Sequence, residues 1–297
     1  MKKPTWLRKR LFLSKESEET ERMIAELELH TVCSSALCPN RSECFGRKRA
    51  TFMILGNVCT RRCAFCGVSK GTPWPPDAGE PERIAAALNR LKIEYAVITS
   101  VTRDDLPDRG SAAFAATISA VKKAGPETKV EVLTPDFGGE RRFVADVIKE
   151  GPLVFNHNLE TVSRLYPTVR PQAGYQRSLG VLRAAKEAGA AFTKSGLMLG
   201  LGEEKEEVIE ALCDLKAAGC DIVTLGQYLR PTRANIPVAR FVSPDEFEEF
   251  RMEALEAGFK ACASGPFVRS SYFAEDLFGS IKPADKKFTA GWPSAII

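Results

Sequence analysis

Six of the nine cysteines lie between Cys33 and Cys66 and fall into two triplets. The second reads Cys59-Thr-Arg-Arg-Cys63-Ala-Phe-Cys66, a C-x3-C-x2-C spacing. A closed zinc or iron–sulfur site takes four protein ligands, so three thiolates leave one metal position open to a small molecule. The first triplet, Cys33, Cys38 and Cys44, reads C-x4-C-x5-C in Pro- and Asn-containing sequence without a helical or strand period, as expected of a loop wrapped around a cluster. Taken singly, one triplet would also suit a zinc site missing a ligand, and the other a zinc knuckle or core thiols. Two incomplete triplets in one short segment are much harder to ascribe to packing.

The remaining composition excludes several classes. The longest opening apolar run, Leu11-Phe12-Leu13, is far too short for a signal-peptide core, and no later stretch approaches the ~18 apolar residues of a membrane span. A cytoplasmic protein without a membrane partner is expected. There the odd number of cysteines, kept reduced, argues for metal or redox chemistry over disulfides. Net charge is +4. Lys2, Lys3, Arg8, Lys9 and Arg10, followed by Glu16, Glu18, Glu19 and Glu21, read as a solvated arm. Without a domain-wide basic balance, no nucleic-acid partner is expected.

A chain of 297 residues, 44% apolar and 27% charged, suits one barrel-sized domain or two smaller ones. Beyond the cysteines a strand–helix rhythm sets in. Strands are expected at 51–57, 95–101, 129–134, 152–157, 191–199 and 221–225, with a further one at 260–264. Helices are expected at 81–92, 111–124, 140–150, 175–188, 203–218 and 244–257, many closing near Gly125, Gly151, Gly189, Gly219 and Gly258. Six such units predict an α/β fold, a partial (β/α)6 TIM-type barrel, with a doubly wound open sheet as the alternative. Either architecture gathers chemistry at the C-terminal ends of its strands, and Cys59 follows the first. The expected division is an extension at 1–50 carrying the first triplet, a barrel at 51–264 and a tail at 265–297.

The C-x3-C-x2-C triplet resembles the signature of the radical S-adenosylmethionine (SAM) superfamily, in which three cysteines hold a [4Fe–4S] cluster and SAM chelates the fourth iron. With the upstream triplet, the resemblance becomes one to the lipoyl synthase family. Lys3-Pro4-Thr5-Trp6-Leu7-Arg8, Cys38-Pro39-Asn40, Glu43-Cys44-Phe45 and Arg269-Ser270-Ser271-Tyr272 all resemble that family's motifs. The resemblance implies an auxiliary [4Fe–4S] cluster on Cys33, Cys38 and Cys44, with Ser271, by position, favoured over Ser270 as its fourth ligand. It implies SAM contacts from Ser100, Asn158, Glu160 and Arg170. Ser pairs often cap turns, and an acidic pair such as Asp104-Asp105 reads first as turn residues.

Such an enzyme would insert two sulfur atoms at the unactivated C6 and C8 of octanoyl-lysine on a lipoyl carrier domain or glycine-cleavage carrier protein. The auxiliary cluster is the implied sulfur donor, and no acid–base route opens such C–H bonds. A ferredoxin or flavodoxin reductant and an iron–sulfur assembly or repair protein are the other implied partners. Two alternatives stand beside this reading: another sulfur-inserting enzyme resembling biotin synthase, which would not be expected to carry the upstream triplet with Arg-Ser-Ser-Tyr, and a zinc-stapled binding module. At the end of segment 194–203, Gly200-Leu201-Gly202 would need a third glycine where Lys205 stands, so it is no dinucleotide loop. His30 and His157 are expected to be structural, and Cys213, Cys220 and Cys262 to be buried free thiols.

Overall fold

All seven expected strands form one parallel sheet in the computed structural model, which describes residues 2–9 and 14–281. Arg10, the apolar run at 11–13 and the tail beyond Ile281 lie outside the described residues. In chain order the strands are β1 (Thr51–Ile54), β2 (Val58–Cys59), β3 (Ser69–Lys70), β4 (Tyr95–Ser100), β5 (Lys129–Leu133), β6 (Val154–Asn156), β7 (Phe192–Leu199), β8 (Ile222–Gln227) and β9 (Ala261–Gly265). The helices are α1 (Lys15–Glu26), α2 (Val32–Ser35), α3 (Arg41–Gly46), α4 (Glu80–Leu91), α5 (Ser111–Ala124), α6 (Arg141–Lys149), α7 (Tyr166–Val169), α8 (Tyr175–Glu187), α9 (Lys205–Ala217), α10 (Pro244–Glu256) and α11 (Ala274–Gly279).

The large sheet runs β1-β4-β5-β6-β7-β8-β9, each strand beside its successor. A doubly wound sheet reverses its order at a switch point; this one never does, so its right-handed crossovers curl it one way into an open barrel. Strand alternation then sorts the faces. Phe52, Ile54, Ala96, Ile98, Val130, Val132 and Phe155 join the core with α4, α5 and α6. The opposite rows point into the barrel and carry a buried polar layer. Lys194 Nζ lies 2.9 Å from Glu131 Oε1, Tyr95 OH donates to Glu131 Oε2 at 2.8 Å, and Asn156 Nδ2 donates to Oε1 at 3.0 Å. Both members of this ion pair are about 1% exposed, and three donors on one carboxylate offset a desolvation cost of several kcal/mol per ion.

The N-terminal segment covers the outer edge of β1, pairing backbone groups that would otherwise lie open. Met53 N donates to His30 O at 2.9 Å beside β1, while Leu277 and Phe278 of α11 pack on Ile222, Ala261 and Ala263. Four of the five expected glycine caps have positive φ; Gly125, at φ −147, does not.

The N-terminal arm departs from expectation. Its acidic run is the outer face of α1, capped by Ser14, whose Oγ accepts from Ser17 N, while Met23 and Ile24 are buried. Lys9 is not solvated either: its ammonium lies 2.7 Å from Glu43 Oε2 and over the rings of Phe267 and Tyr272. A carboxylate and two π-faces together outbid water for that cation. The first triplet likewise is not a plain loop, because Cys33 sits in α2 and Cys44 in α3, helices too short to register as a period.

Candidate active site

The two triplets are held on different supports. Cys59 ends β2, whose partner β3 pairs Cys59 with Lys70, so a small two-stranded ribbon beyond β1 carries the loop with Cys63 and Cys66. That loop is fastened to the barrel mouth: Ala64 N donates to Val169 O at 2.9 Å, and Asn235 Nδ2 donates to Cys66 O at 3.0 Å. Burial pushes the Cys66 thiol up to about 12 and raises Cys63, with the neighbouring triplet thiols adding to both shifts. Burial also raises Cys33, to about 11, and Cys44, with further upward pushes from neighbouring thiols of the first triplet. Each triplet is thus a mutually interacting group, though among the described residues no three His, Cys, Asp or Glu side chains surround a point fit for one metal ion.

Arg61 fixes the second triplet's loop, a role that sequence reasoning missed. Its guanidinium, 5% exposed, forks onto Asp104 (Nε–Oδ2 2.6 Å, Nη2–Oδ1 2.9 Å) and onto Asp136 (Nη1–Oδ2 2.9 Å, Nη2–Oδ1 2.6 Å). Burial alone would raise Asp136, but the bonds and charge of Arg61 hold it well below the carboxylate range. Asp104 lies in a turn, as expected, yet also serves this cage and accepts from Arg109 at 2.9 Å; Asp105 pairs with Arg103. The missed signal was an Arg inside the cysteine motif with Asp after two different strands.

Three of the four expected SAM residues come together. Asn158 Nδ2 donates to Glu160 Oε1 at 3.1 Å, and Arg170 Nη1 donates to Asn158 O at 3.0 Å. Arg170 and Glu160 also exert opposing electrostatic pulls on the Cys63 thiol, which places this group beside the second triplet. Glu160 adopts φ +71, held by Glu160 N donating to Gly196 O and Met198 N donating to Glu160 O, both 2.8 Å. A left-handed non-glycine residue costs of order 1 kcal/mol and is commonly retained at sites. Ser100 makes no hydrogen bond to this group. It continues the row of Ala96 and Ile98, which faces the helices, and its Oγ is buried without a partner among the described residues.

The Arg-Ser-Ser-Tyr segment separates its two serines. Ser270 Oγ donates to Asn158 Oδ1 at 2.7 Å, whereas Ser271 lines a cavity with Cys33, Cys38, Cys44 and Arg269. A Cβ on Gly196 would stand 2.7 Å from Ser270 Oγ and 3.0 Å from Asn158 Oδ1, so only glycine admits this contact. Tyr272 OH donates to Glu43 Oε2 at 3.0 Å and Asn40 Nδ2 to Phe267 O at 2.7 Å, joining the first-triplet motif to the tail. The residues fit the expected groups: three thiols and a hydroxyl line one cavity, and Arg170 Nε is buried without a partner among the described residues, beside the other triplet.

His157, 1% exposed, has Nδ1 2.9 Å from Thr134 O, which only an Nδ1–H tautomer can satisfy; Nε2 has no partner among the described residues. Burial, then Arg170, lowers its pKa to about 4. Because the folded value lies below the unfolded value of about 6.5, the unfolded chain binds the extra proton between these limits, and stability is lost as pH falls through that window. Between pH 7.5 and 5 the loss from this residue is about 2 kcal/mol. Urea midpoints at the two pH values should reveal it, and His157→Gln should lose that part of the pH dependence. Cys220 and Cys262 are buried as expected; Cys213 is exposed, because it is rotated away from the buried stripe of Val208, Ala211, Leu212 and Leu215 on α9.

Residues 53–215 match the Radical SAM superfamily model. The chain is 52% identical over 276 residues to a lipoyl synthase from Caldicellulosiruptor saccharolyticus, covering 93% of this chain and 97% of that protein. It is 50% identical to one from Chlorobium limicola, covering 93% and 95%. Among solved structures, the FeFe-hydrogenase maturase HydG from Carboxydothermus hydrogenoformans superposes with a TM-score of 0.55 at 15% identity, over 89% of this chain and 78% of that one, a likeness of fold alone. With half of its residues shared across almost the full length of those relatives, the chain belongs to the lipoyl synthase family of radical SAM enzymes.

Proposed function

We propose that the chain inserts sulfur at C6 and C8 of octanoyl-lysine on a carrier protein, with Cys59, Cys63 and Cys66 holding the SAM-binding [4Fe–4S] cluster and Cys33, Cys38, Cys44 and Ser271 the auxiliary one. When bound, the clusters and SAM supply the one-electron chemistry and the sulfur that side chains lack. The protein's own part is placement. Arg170 offers a guanidinium for the carboxylate of SAM, and Glu160 and Asn158 offer partners for ribose hydroxyls. Ser271, a harder ligand than thiolate, would release its iron most readily.

The observation that carries this reading is the parting of the two serines: one short segment touches Asn158 with Ser270 and the first-triplet cavity with Ser271. Substrate carbon and sulfur source must meet, and a segment that reaches both places supports this reading. A ferredoxin or flavodoxin reductant, an iron–sulfur assembly or repair protein and a cytoplasmic setting complete the proposal. Among the described residues no helix is long and apolar enough to cross a membrane.

The test is anaerobic reconstitution with iron and sulfide, then SAM, a reductant and an octanoyl-lysyl peptide, following peptide mass and 5′-deoxyadenosine together. Lipoyl peptide should appear with two deoxyadenosines per product. Deoxyadenosine with an unchanged peptide would transfer the chemistry to another substrate.

A further inference from the structure

Three loops meet around the second triplet. A Cβ on Gly67 would stand 3.1 Å from both Ala36 O and Pro231 Cβ, which brings the first-triplet segment and the β8–α10 loop onto the cysteine loop. Segments 31–42, 56–76 and 228–242 contain no Asp or Glu. Arg41, Arg61 and Arg240 pair with acids elsewhere. Arg62, Lys70, Arg230 and Arg233 are exposed and have no acidic partner among the described residues. Arg230 is steadied by carbonyls, Asn235 O at 2.7 Å and Arg233 O, which position the guanidinium without neutralising it.

Two large apolar side chains stand on the same segments: Leu37, 57% exposed, and Trp74, 84% exposed. Isolated exposed apolar residues are ordinary. Trp74 differs in how it is displayed, within Thr72-Pro73-Trp74-Pro75-Pro76, where three prolines restrict the backbone and reduce the entropy lost on docking. It follows Lys70, the register partner of Cys59, by four residues, so it lies within roughly 14 Å of Lys70 along the chain. An extended octanoyl-lysine arm spans about 16 Å from the carrier backbone at ~1.25 Å per bond. An arm of that length keeps the carrier backbone within about 16 Å of the cysteines, a reach that takes in the segments meeting at Gly67 and the ribbon residue Lys70.

We propose that this acid-free rim, Leu37, Lys70, Trp74, Arg230 and Arg233, is the docking face for the folded carrier domain, which meets it with an acidic surface around the octanoyl-lysine. The inference rests on the function proposed above and adds the partner's surface chemistry. Trp and Arg are the residue types that most often dominate binding energy, and a one-signed rim steers an oppositely charged partner. A free octanoyl-lysyl peptide makes no use of this face.

The test measures binding of an octanoylated lipoyl carrier domain to the reconstituted full chain at low and high salt, alongside thiolation of the short peptide. Trp74→Ala and Arg233→Glu should weaken domain binding about 30-fold and about 10-fold respectively, with wild-type affinity falling as salt rises. Peptide thiolation should stay within about twofold of wild type, since no atom at the cysteines is touched. Undiminished domain binding by both variants, no binding by wild type, or equal losses on domain and peptide would overturn the proposal. So would a transfer-RNA pool that binds in place of the domain and is released by the same variants. Wild-type turnover of the peptide reports on the function independently, because it does not pass through the rim.

Discussion

Cys59→Ala is expected to abolish deoxyadenosine formation, by at least about 1,000-fold or ~4 kcal/mol of barrier, whereas Cys33→Ala should cleave SAM within about threefold of wild type and make no lipoyl product. The asymmetry follows from where the triplets are fastened. Cys59 belongs to the ribbon at the barrel mouth, whose loop brings Cys63 beside Arg170 and Glu160, while Cys33 is on α2 of the extension, in the cavity lined by Ser271. Removing one thiol from either triplet therefore leaves the other support intact. Iron content, deoxyadenosine and peptide mass, measured on the same preparations, separate the outcomes. Loss of SAM cleavage in both variants would mean that the two clusters do not stand independently.

Arg61→Met should destabilise the protein by about 3–5 kcal/mol and empty the second triplet of its cluster. Arg61 is the cation shared by Asp136, which is fully buried, and Asp104, and deleting it strands a carboxylate in a low-dielectric interior. Arg177 lies 3.3 Å from Asp136 and Arg109 reaches Asp104, but neither spans the pair. Arg61→Lys keeps the charge and loses the fork, so it should recover only part of the stability. Combining Arg61→Met with Asp104→Asn and Asp136→Asn removes the stranded charge and should restore most of the urea midpoint. If it does so while the cluster remains unstable, the cage positions the loop as well as stabilising the fold.

Much of this molecule was legible in its residues. Cysteine spacing survives as chemistry whatever the fold, because an iron–sulfur site needs a fixed number of thiolates within a short reach. Strand–helix alternation survives too, since each unit's periodicity is local, and Tyr95–Ser100 or Phe192–Leu199 falls within a residue or two of expectation. The short helices α2 and α3 escaped because four and six residues are too few to show a period. Family likeness gives Ser100 a position in the chain, whereas the pleat of β4 decides which face its side chain takes.

What the sequence alone determined is the set of reactive groups: two thiol triplets, a serine pair and a barrel to carry them, all read from spacing and local period. What only the tertiary structure decided is which groups meet. Lys9 on Glu43, Arg61 on Asp104 and Asp136, Ser270 on Asn158, and Ser271 beside the first triplet are contacts across the folded chain. Long-range partners leave no local pattern, since each is set by the close packing of elements whose relative placement depends on the whole core at once.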